Sequence, residues 1–237
     1  MSRIEVVGMV YRSDDFANFI RPHVDRIVAN DPLHSLSVYD AIYHDPHLED
    51  YYLARVYRCW NWCVESSQSE YVCLVNSDMA FSPGWLDALE RRLDGKTLPC
   101  SRLVEPGFIK PGQHAIEIDL GRDPRSFPMG SWHSLASDLS VSEDHPGGLF
   151  MPCVLQRDAF LRVGGYPPGN LNLPLGEFGA KTHPKSHVMY RNGKPASQVV
   201  SGDADLFWRM EQEGFQHVTC FDSLVYHMQE GEMRHIE

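Results

Sequence analysis

The chain has 237 residues, 43% hydrophobic and 22% charged, which is the composition of an ordinary globular protein long enough for one large domain. Its formal net charge of −11 lacks the basic field that non-specific binding to nucleic acid or to an anionic membrane needs. No apolar run reaches the roughly 18 residues of a membrane span, and the amino-terminal residues do not resemble a signal peptide. We therefore expect a cytoplasmic protein without a transmembrane segment.

The first half of the chain alternates between strand and helix patterns. Apolar runs predict strands at 4–10, 36–39 and 71–75. Helical spacing of apolar residues predicts helices from Asp14 or Asp15 to about residue 29, at 50–67 and at 83–93, the last with Ser82 as its N-cap. This alternation predicts an α/β fold with a parallel sheet and right-handed crossovers.

The second half of the chain is less regular. Strands are predicted at 98–104, 115–120 and 148–155, with two short ones at 218–221 and 223–227. A short helix is predicted at 158–163 and a longer amphipathic helix at 203–214. The segment 169–200 is rich in Pro, Gly, Lys and His and is predicted to be a long flexible loop, which in a compact domain is usually functional or disordered.

The six cysteines form no C-x-x-C pair. Cys59 and Cys63 fall on a predicted helix, and the other four fall in predicted strands. We expect buried, reduced thiols that act as small hydrophobic residues, since the spacing gives no support to a zinc site.

Acidic and histidine residues stand at the ends of several predicted elements. Asp78 follows the apolar strand at 71–75, Asp203 and Asp205 open the helix at 203–214, and His227 ends the last strand. Ligands of open α/β sheets bind beyond the carboxyl ends of the strands, so Asp78 is placed to hold a divalent cation against a phosphate. Taken alone, Asp78 is equally compatible with a turn, whereas an Asp at a helix start is more often an N-cap and a His at a strand end is more often structural.

Several short motifs, taken in order, resemble the nucleotide-sugar glycosyltransferases of the GT-A fold, family 2 type. Asn76-Ser-Asp78, preceded by Asn61, is similar to the family's D-x-D motif, and Pro83-Gly-Trp-Leu86 to the PGWL that follows it. Arg157-Asp-Ala-Phe160 with Gly164-Gly-Tyr166 resembles R-x-x-F…GGF, Gly202-Asp-Ala-Asp-Leu206 resembles E-D-x-D-L, and Val225-Tyr-His227 resembles the closing V-x-H. The resemblance covers most of the chain.

The resemblance implies a GT-A fold: a Rossmann-like, mostly parallel sheet with helices on both faces, in a single domain of 1–237. Residues 1–105 would bind the nucleotide-sugar donor, UDP-linked by default, and residues 106–237 the carbohydrate or other hydroxyl acceptor. The family position of Asp78 binds Mn²⁺ or Mg²⁺, and His227 matches a frequent second ligand. Asp203 matches the base of an inverting displacement, although a helix N-terminus lowers the pKa of a carboxyl group.

The same resemblance supplies the remaining site residues. Donor contacts are predicted at positions around the first strands and the D-x-D-like motif, namely Tyr11, Arg12, Asp40, Arg58, Asn76 and Ser77. Asp205 and Trp132 are candidate acceptor contacts, Asp205 with a competing role as helix cap. A solvated surface charge is the equally open alternative for Arg12 and Arg58.

The sequence also departs from the family pattern. Gly202 replaces the Glu of E-D, and the segment 169–200 is longer than is usual. We expect this segment to act as a lid whose basic residues meet the diphosphate, with an arm for homodimer formation or plain disorder as open alternatives. Two other functions are weighed: a nucleotidyltransferase, which lacks its Gly-rich loop after the first strand, and a non-catalytic nucleotide-sugar- or carbohydrate-binding protein with a decayed site.

Overall fold

A computed structural model describes residues 3–10, 34–40, 52–76, 78–107 and 112–229. The predicted helix from Asp14 or Asp15, and the predicted donor contacts Tyr11, Arg12 and Ser77, lie outside the described residues. The strands are β1 Ile4–Val10, β2 His34–Asp40, β3 Tyr71–Asn76, β4 Met79–Phe81, β5 Thr97–Glu105, β6 Ala115–Glu117, β7 Asp144–Pro146, β8 Cys153–Gln156, β9 Leu171–Leu173, β10 His187–Arg191, β11 Lys194–Val200 and β12 Gln216–His227. The helices are α1 Tyr52–Ser66, α2 Trp85–Glu90, α3 Met129–Leu139, α4 Arg157–Arg162 and α5 Gly202–Gln212.

Within the described ranges, nine strands form one sheet in the order β2-β1-β3-β8-β5-β12-β4, with β6 beside β5 and β7 beside β12. The long pairings of β1 with β2 and β3, and of β5 with β12, are parallel. The antiparallel neighbours β8, β7 and β4 are short. The prediction of a mostly parallel α/β sheet is confirmed, and the sheet runs without a break from the first half of the chain into the second.

Two hydrophobic clusters pack against opposite faces of this sheet. The larger includes buried side chains of α1, α2, α4 and α5, and the smaller includes Trp132 and Ala136 of α3. Along β12, Val225 belongs to the larger cluster and its neighbours Leu224 and Tyr226 to the smaller. Since successive side chains of a strand point to opposite faces, helices cover both faces, as predicted.

The continuous apolar runs gave the central strands close to their observed bounds, but the start of α2 differs from the prediction. The helix begins at Trp85 after Gly84, whose φ of 75° places it in the left-handed region, and no side chain caps it. Ser82 contributes its carbonyl oxygen to the Trp85 amide at 3.3 Å instead of acting as the N-cap. The prediction of Ser82 as N-cap is wrong because the left-handed glycine interrupts the chain between Ser82 and the helix.

The segment 169–200 is not the long loop that its composition predicts. Strands β9, β10 and β11 form a separate antiparallel sheet in the order β10-β11-β9, and a 3₁₀ turn at Glu177–Gly179 lies between β9 and β10. Gln198 anchors this small sheet from within, because its fully buried amide accepts from Ser186 Oγ at 2.6 Å and donates to Pro174 O at 2.6 Å. One buried polar residue thus organises a segment whose other side chains are mostly exposed.

Two further sequence expectations are resolved by the fold. The runs at 218–221 and 223–227 are one strand, β12, with a register irregularity between Cys220 and Leu224. All six cysteines are free and buried, as expected. None of the described helices combines the length and the apolar character needed to cross a bilayer.

Candidate functional site

Two side chains that are far apart in sequence, Asp78 and His227, meet at one edge of the main sheet. Asp78 lies between β3 and β4, and β4 pairs antiparallel with the end of β12, with Met79 opposite His227. The amide of Met228 donates to the carbonyl oxygen of Asp78 at 2.9 Å. Main-chain pairing on both sides therefore fixes the relative position of the two residues.

The side chains of Asp78 and His227 form a buried row with a third residue. His227 Nε2 lies 3.4 Å from Asp78 Oδ2, and His227 Nδ1 lies 2.8 Å from Glu105 Oε1. Burial acts to lower the pKa of His227, but the charges and hydrogen bonds of the two carboxylates outweigh it and raise the pKa to about 10. The imidazole is thus held between two acidic groups and carries a proton at neutral pH.

The donor set of Asp78 and His227 fits a divalent cation. Neighbouring ligands of one octahedral ion lie roughly 3 Å apart, close to the observed separation of Oδ2 and Nε2. Glu105 supports the ring from its other nitrogen, which is the usual second interaction of a metal-binding histidine. Among the described residues, no group of three or more His, Cys, Asp and Glu side chains is arranged to hold a metal. An ion here would complete its coordination with ligand oxygens and water.

Glu105 was not among the residues that the sequence singled out. It ends β5, which pairs with β12 so that Val104 lies opposite Tyr226, and this register brings Glu105 beside His227. Its side chain is almost completely buried, at 1% exposure. An acidic residue at the carboxyl end of an apolar strand was the available signal, the same signal that drew attention to Asp78.

Asp203 lies in different surroundings, in the first turn of α5. Ser201 is the N-cap of this helix, and its side chain accepts a hydrogen bond from the amide of Ala204 at 3.2 Å. The hydroxyl of Tyr57 donates a 3.0 Å hydrogen bond to Asp203 Oδ2. Burial dominates over this contact and raises the pKa of Asp203 to about 6. The expected lowering by the helix N-terminus is therefore overridden by the loss of solvent.

Several of the resembling motifs converge beneath Asp203. Asn61 accepts from the amide of Tyr166 at 2.7 Å and donates to its carbonyl oxygen at 2.9 Å. The Tyr166 ring stacks on Tyr57 with centroids 4.8 Å apart and an interplanar angle of 6°. Gly165 is required here, because a Cβ at that position would lie 2.5 Å from Asn61 Oδ1. The Asn and Gly-Gly-Tyr motifs thus build one support for the tyrosine that contacts Asp203.

Asp205 is occupied by protein contacts. Its Oδ2 accepts from Arg209 Nε at 2.9 Å and Nη2 at 2.8 Å, and its Oδ1 lies 3.5 Å from His183 Nε2. Arg209 in turn donates to the carbonyl oxygens of Val163 and Gly165. These contacts contradict the expected role of Asp205 as helix cap, which Ser201 fills, and they assign its carboxylate to holding Arg209 rather than to an acceptor.

The remaining predicted site residues are spread over the fold. Asp40 ends β2 opposite Val10, Asn76 ends β3 with a half-buried side chain, and Arg58 is exposed on α1. Trp132 is fully buried and packs against Tyr226 with ring centroids 5.8 Å apart. The prediction that Trp132 contacts an acceptor is wrong, because its side chain belongs to the hydrophobic cluster under α3.

An open cleft of about 460 Å³ lies elsewhere, at the amino end of β3. It is lined in part by Arg3, Glu70 and Arg157. Asp78 follows the opposite, carboxyl end of this strand. The cleft is therefore separate from the candidate site.

No protein-family profile matches the sequence, and no curated protein matches it either. Among solved structures, the crystal structure of residues 1–349 of TarS from S. aureus is similar with a TM-score of 0.51 at 10% identity, covering 100% of this chain and 63% of that chain. GalNAc-T7, crystallised with UDP, GalNAc and Mn²⁺, gives a TM-score of 0.46 at 11% identity, over 96% of this chain and 44% of that chain. The chain thus spans less than two thirds of either structure. At this identity the likeness to TarS shows the fold alone, and that fold is of the GT-A type.

Proposed function

We propose that the chain is an inverting, metal-assisted glycosyltransferase of family 2 type that moves a sugar from a nucleoside-diphosphate donor, UDP by default, to an acceptor hydroxyl. The observation that carries the proposal is the meeting of Asp78, which follows β3, and His227, which ends β12, at 3.4 Å. That is where an open α/β sheet presents its ligand site. A carboxylate beside an imidazole there suits Mn²⁺ or Mg²⁺, with the nitrogen ligand favouring Mn²⁺.

Asp78 and His227 would hold the metal, and Glu105 would keep His227 oriented through Nδ1. When bound, the ion offsets the negative charge that develops on the leaving diphosphate. His227 would bind the metal through Nε2 as the neutral imidazole, so the metal would compete with the proton that the two carboxylates favour. The buried Asp78 would contribute a carboxylate oxygen.

Asp203 is the proposed base. The acceptor oxygen forms a bond to the anomeric carbon as the bond from that carbon to the diphosphate oxygen breaks, and the acceptor proton passes to the Asp203 carboxylate. The nucleoside diphosphate leaves with the electron pair of the broken bond. A carboxyl group with a pKa of about 6 is ionised at neutral pH and is a stronger base than an ordinary aspartate.

The donor would lie over the carboxyl ends of the first strands, in the half of the chain comprising 1–105, and the acceptor in the half comprising 106–237. Asp40 and Asn76 end β2 and β3, which flank β1, so both stand at this edge of the sheet. Arg58, Tyr11, Arg12 and Ser77 complete the proposed set of donor contacts.

The small sheet of β9–β11 is the proposed lid over the donor. Its base is attached to α5, since Asn170 Oδ1 accepts from the amide of Gly202 at 3.3 Å and His183 lies against Asp205. The β10–β11 hairpin carries exposed basic residues, including Arg191 and Lys194. Replacing Arg191 and Lys194 by Glu tests their contact with the donor diphosphate and leaves the buried Gln198 in place. Unchanged affinity for the donor would instead favour a role of this sheet as an arm for homodimer formation.

A non-catalytic binding protein is the second candidate, and Gly202 in place of the family's Glu favours it. Two experiments separate the candidates. Calorimetric titration of UDP, GDP, CDP and dTDP, each with and without Mn²⁺, is expected to show one nucleotide that binds with metal and loses at least about 100-fold in affinity in Asp78→Ala. Exposed Asp87 on α2 offers the control Asp87→Ala, which should bind as the wild type does.

Slow hydrolysis of the matching nucleotide sugar is the second measurement, since an active transferase passes sugar to water and a binding protein does not. Binding that is indifferent to Mn²⁺ and to Asp78 would overturn the metal site. Metal-dependent binding with no turnover of any donor or acceptor would favour the binding protein.

A further inference from the structure

We propose that Tyr57 is the positioning residue of Asp203, and that Gly202 is glycine because the ring of Tyr57 occupies the space of its side chain. The inference rests on the proposed function, in which Asp203 is the base. It adds a residue that the family motifs do not include, and it explains the most prominent departure of this chain from them. Tyr57 itself is 1% exposed, and its hydroxyl reaches Asp203 Oδ2 at 3.0 Å.

The close approach of Tyr57 to Gly202 is the first observation. A Cβ at residue 202 would lie 2.4 Å from Cε2 and 2.8 Å from Cζ of Tyr57. Real Cβ atoms do not approach other heavy atoms so closely, so any side chain at 202 displaces the ring. The absence of the Glu is therefore a structural requirement of a tyrosine at 57 and need not mark a decayed site.

The second observation is that the Tyr57 ring has little freedom to move aside. One face stacks on Tyr166, and Trp60 packs against both rings, at 6.1 Å from Tyr57 and 5.4 Å from Tyr166. Asn61, one turn along α1, clamps the main chain of Tyr166 through two hydrogen bonds. The packing of the ring therefore fixes the position of the hydroxyl oxygen relative to Asp203.

The chemical consequence concerns the two carboxylate oxygens of Asp203. Tyr57 occupies Oδ2, so the proton from the acceptor hydroxyl is directed to Oδ1. The hydrogen bond also favours the ionised carboxylate and offsets part of the cost of burial. Among the described residues, the titratable neighbours of Asp203 are Tyr57 and Tyr166, and the hydroxyl of each acts to lower the pKa of Asp203. Burial raises the pKa of Tyr166 well above its usual range, so Tyr166 stays neutral.

Tyr57→Phe tests the inference, because it removes the hydroxyl and keeps the stacked ring. We expect the pKa of Asp203, followed by carboxyl ¹³C chemical shift, to rise by about 1, since hydrogen bonds to charged groups are worth about that much. Tyr71→Phe is the matched control, because Tyr71 is a buried tyrosine at the far end of β3 from Asp78. An unchanged pKa of Asp203 in Tyr57→Phe would overturn the positioning role.

Measurements of kcat and of UDP–Mn²⁺ affinity show whether the positioning role of Tyr57 or the proposed function fails. In Tyr57→Phe we expect kcat for hydrolysis of the nucleotide sugar to fall on the order of 10-fold, with UDP–Mn²⁺ affinity unchanged within about twofold. A fall in UDP–Mn²⁺ affinity as large as that in kcat would instead indicate a general structural role. Full activity in Asp203→Asn would overturn the catalytic assignment, whereas the pKa shift in Tyr57→Phe would still establish the contact.

A pair of Gly202 variants tests the shared space independently. Gly202→Ala is expected to lower Tm by several °C in the wild-type background, because its Cβ collides with a clamped ring. In the Tyr57→Ala background the ring is absent, so the same substitution is expected to lower Tm by clearly less. Equal losses in both backgrounds would overturn the claim that Tyr57 dictates Gly202.

Discussion

The two carboxylates at the centre of the proposed mechanism, Asp78 and Asp203, have opposite surroundings. Asp78 lies against a protonated imidazole, and Glu105 balances that imidazole from the other side. Asp203 is half-buried beside the stacked rings of Tyr57 and Tyr166, and the hydroxyl of Tyr57 donates to its carboxylate at 3.0 Å. A carboxylate that binds a metal must stay ionised, whereas a carboxylate that acts as a base must take up a proton, and the surroundings of each residue match its proposed task.

The largest test of this comparison is to remove the charge of Asp203. Asp203→Asn keeps the size of the side chain and abolishes its basicity, so we expect kcat to fall by about 10³-fold. The affinity for UDP–Mn²⁺ should stay within about twofold of the wild type, because the metal ligands are untouched. Initial rates of donor hydrolysis give kcat, and calorimetry on the same preparations gives the affinity for UDP–Mn²⁺. Equal losses of kcat and affinity would mean that the two carboxylates act as one site.

The next largest expected effect is a loss of Mn²⁺ affinity on substitution of Glu105. Glu105→Gln removes the charge that orients His227 and should weaken Mn²⁺ binding in the presence of UDP by about 10- to 100-fold. Glu117, which pairs with Glu105 in register and is exposed at the end of β6, gives the control Glu117→Gln. If both variants bind Mn²⁺ as the wild type does, Glu105 has only a structural role.

A smaller effect is expected of pH on kcat/KM. The base must be ionised, so kcat/KM at saturating Mn²⁺ should be level above about pH 6 and fall about tenfold for each pH unit below the pKa of Asp203. Tyr57→Phe should move the inflection to higher pH, since it removes the donor that favours the ionised form. A profile in the wild type that stays level down to pH 5 would contradict the assignment of Asp203.

The smallest effect is on stability, and its sign is opposite to that of most core substitutions. The folded pKa of about 6 exceeds the unfolded value of 3.8, so Asp203 favours the folded state at low pH and loses this contribution as pH rises from about 4 to 6. Asp203→Asn should therefore raise the free energy of unfolding at pH 7.5 by about 1–3 kcal/mol, and by less at pH 5. Urea titrations at both pH values measure the difference in free energy of unfolding between variant and wild type. A variant less stable than the wild type at pH 7.5 would contradict the prediction.

The fold was predictable where burial made the sequence pattern simple. The strands β1 and β3 are nearly continuous apolar runs because helices cover both faces of the sheet. The small sheet of β9–β11 escaped prediction because its side chains are mostly exposed and its interior is a polar residue, Gln198, so that no apolar alternation marks its strands. A buried amide among Lys, Pro and Gly carries no periodic signal.

Only those site residues that lie in the family-like motifs could be predicted from the sequence. Asp78, His227 and Asp203 were found through the resemblance, and the structure brings the first two together. Tyr57 was not found, because in sequence it is one of several aromatic residues on the buried face of a helix, and its partner Asp203 lies far along the chain. A hydrogen bond between such distant positions leaves no mark on a single sequence, although Gly202 at the Glu position was an indirect sign of it.

The pairing of β4 with the end of β12 has a consequence for the biosynthesis of the protein. His227 ends the last strand of the described chain to leave the ribosome, so the pair of Asp78 and His227 cannot form until β12 has entered the sheet between β5 and β4. Ligand that binds this pair stabilises only molecules in which that insertion is complete. Nucleotide and metal would thus act as a selective folding aid during synthesis, and chains that stall before β12 would gain nothing from their presence.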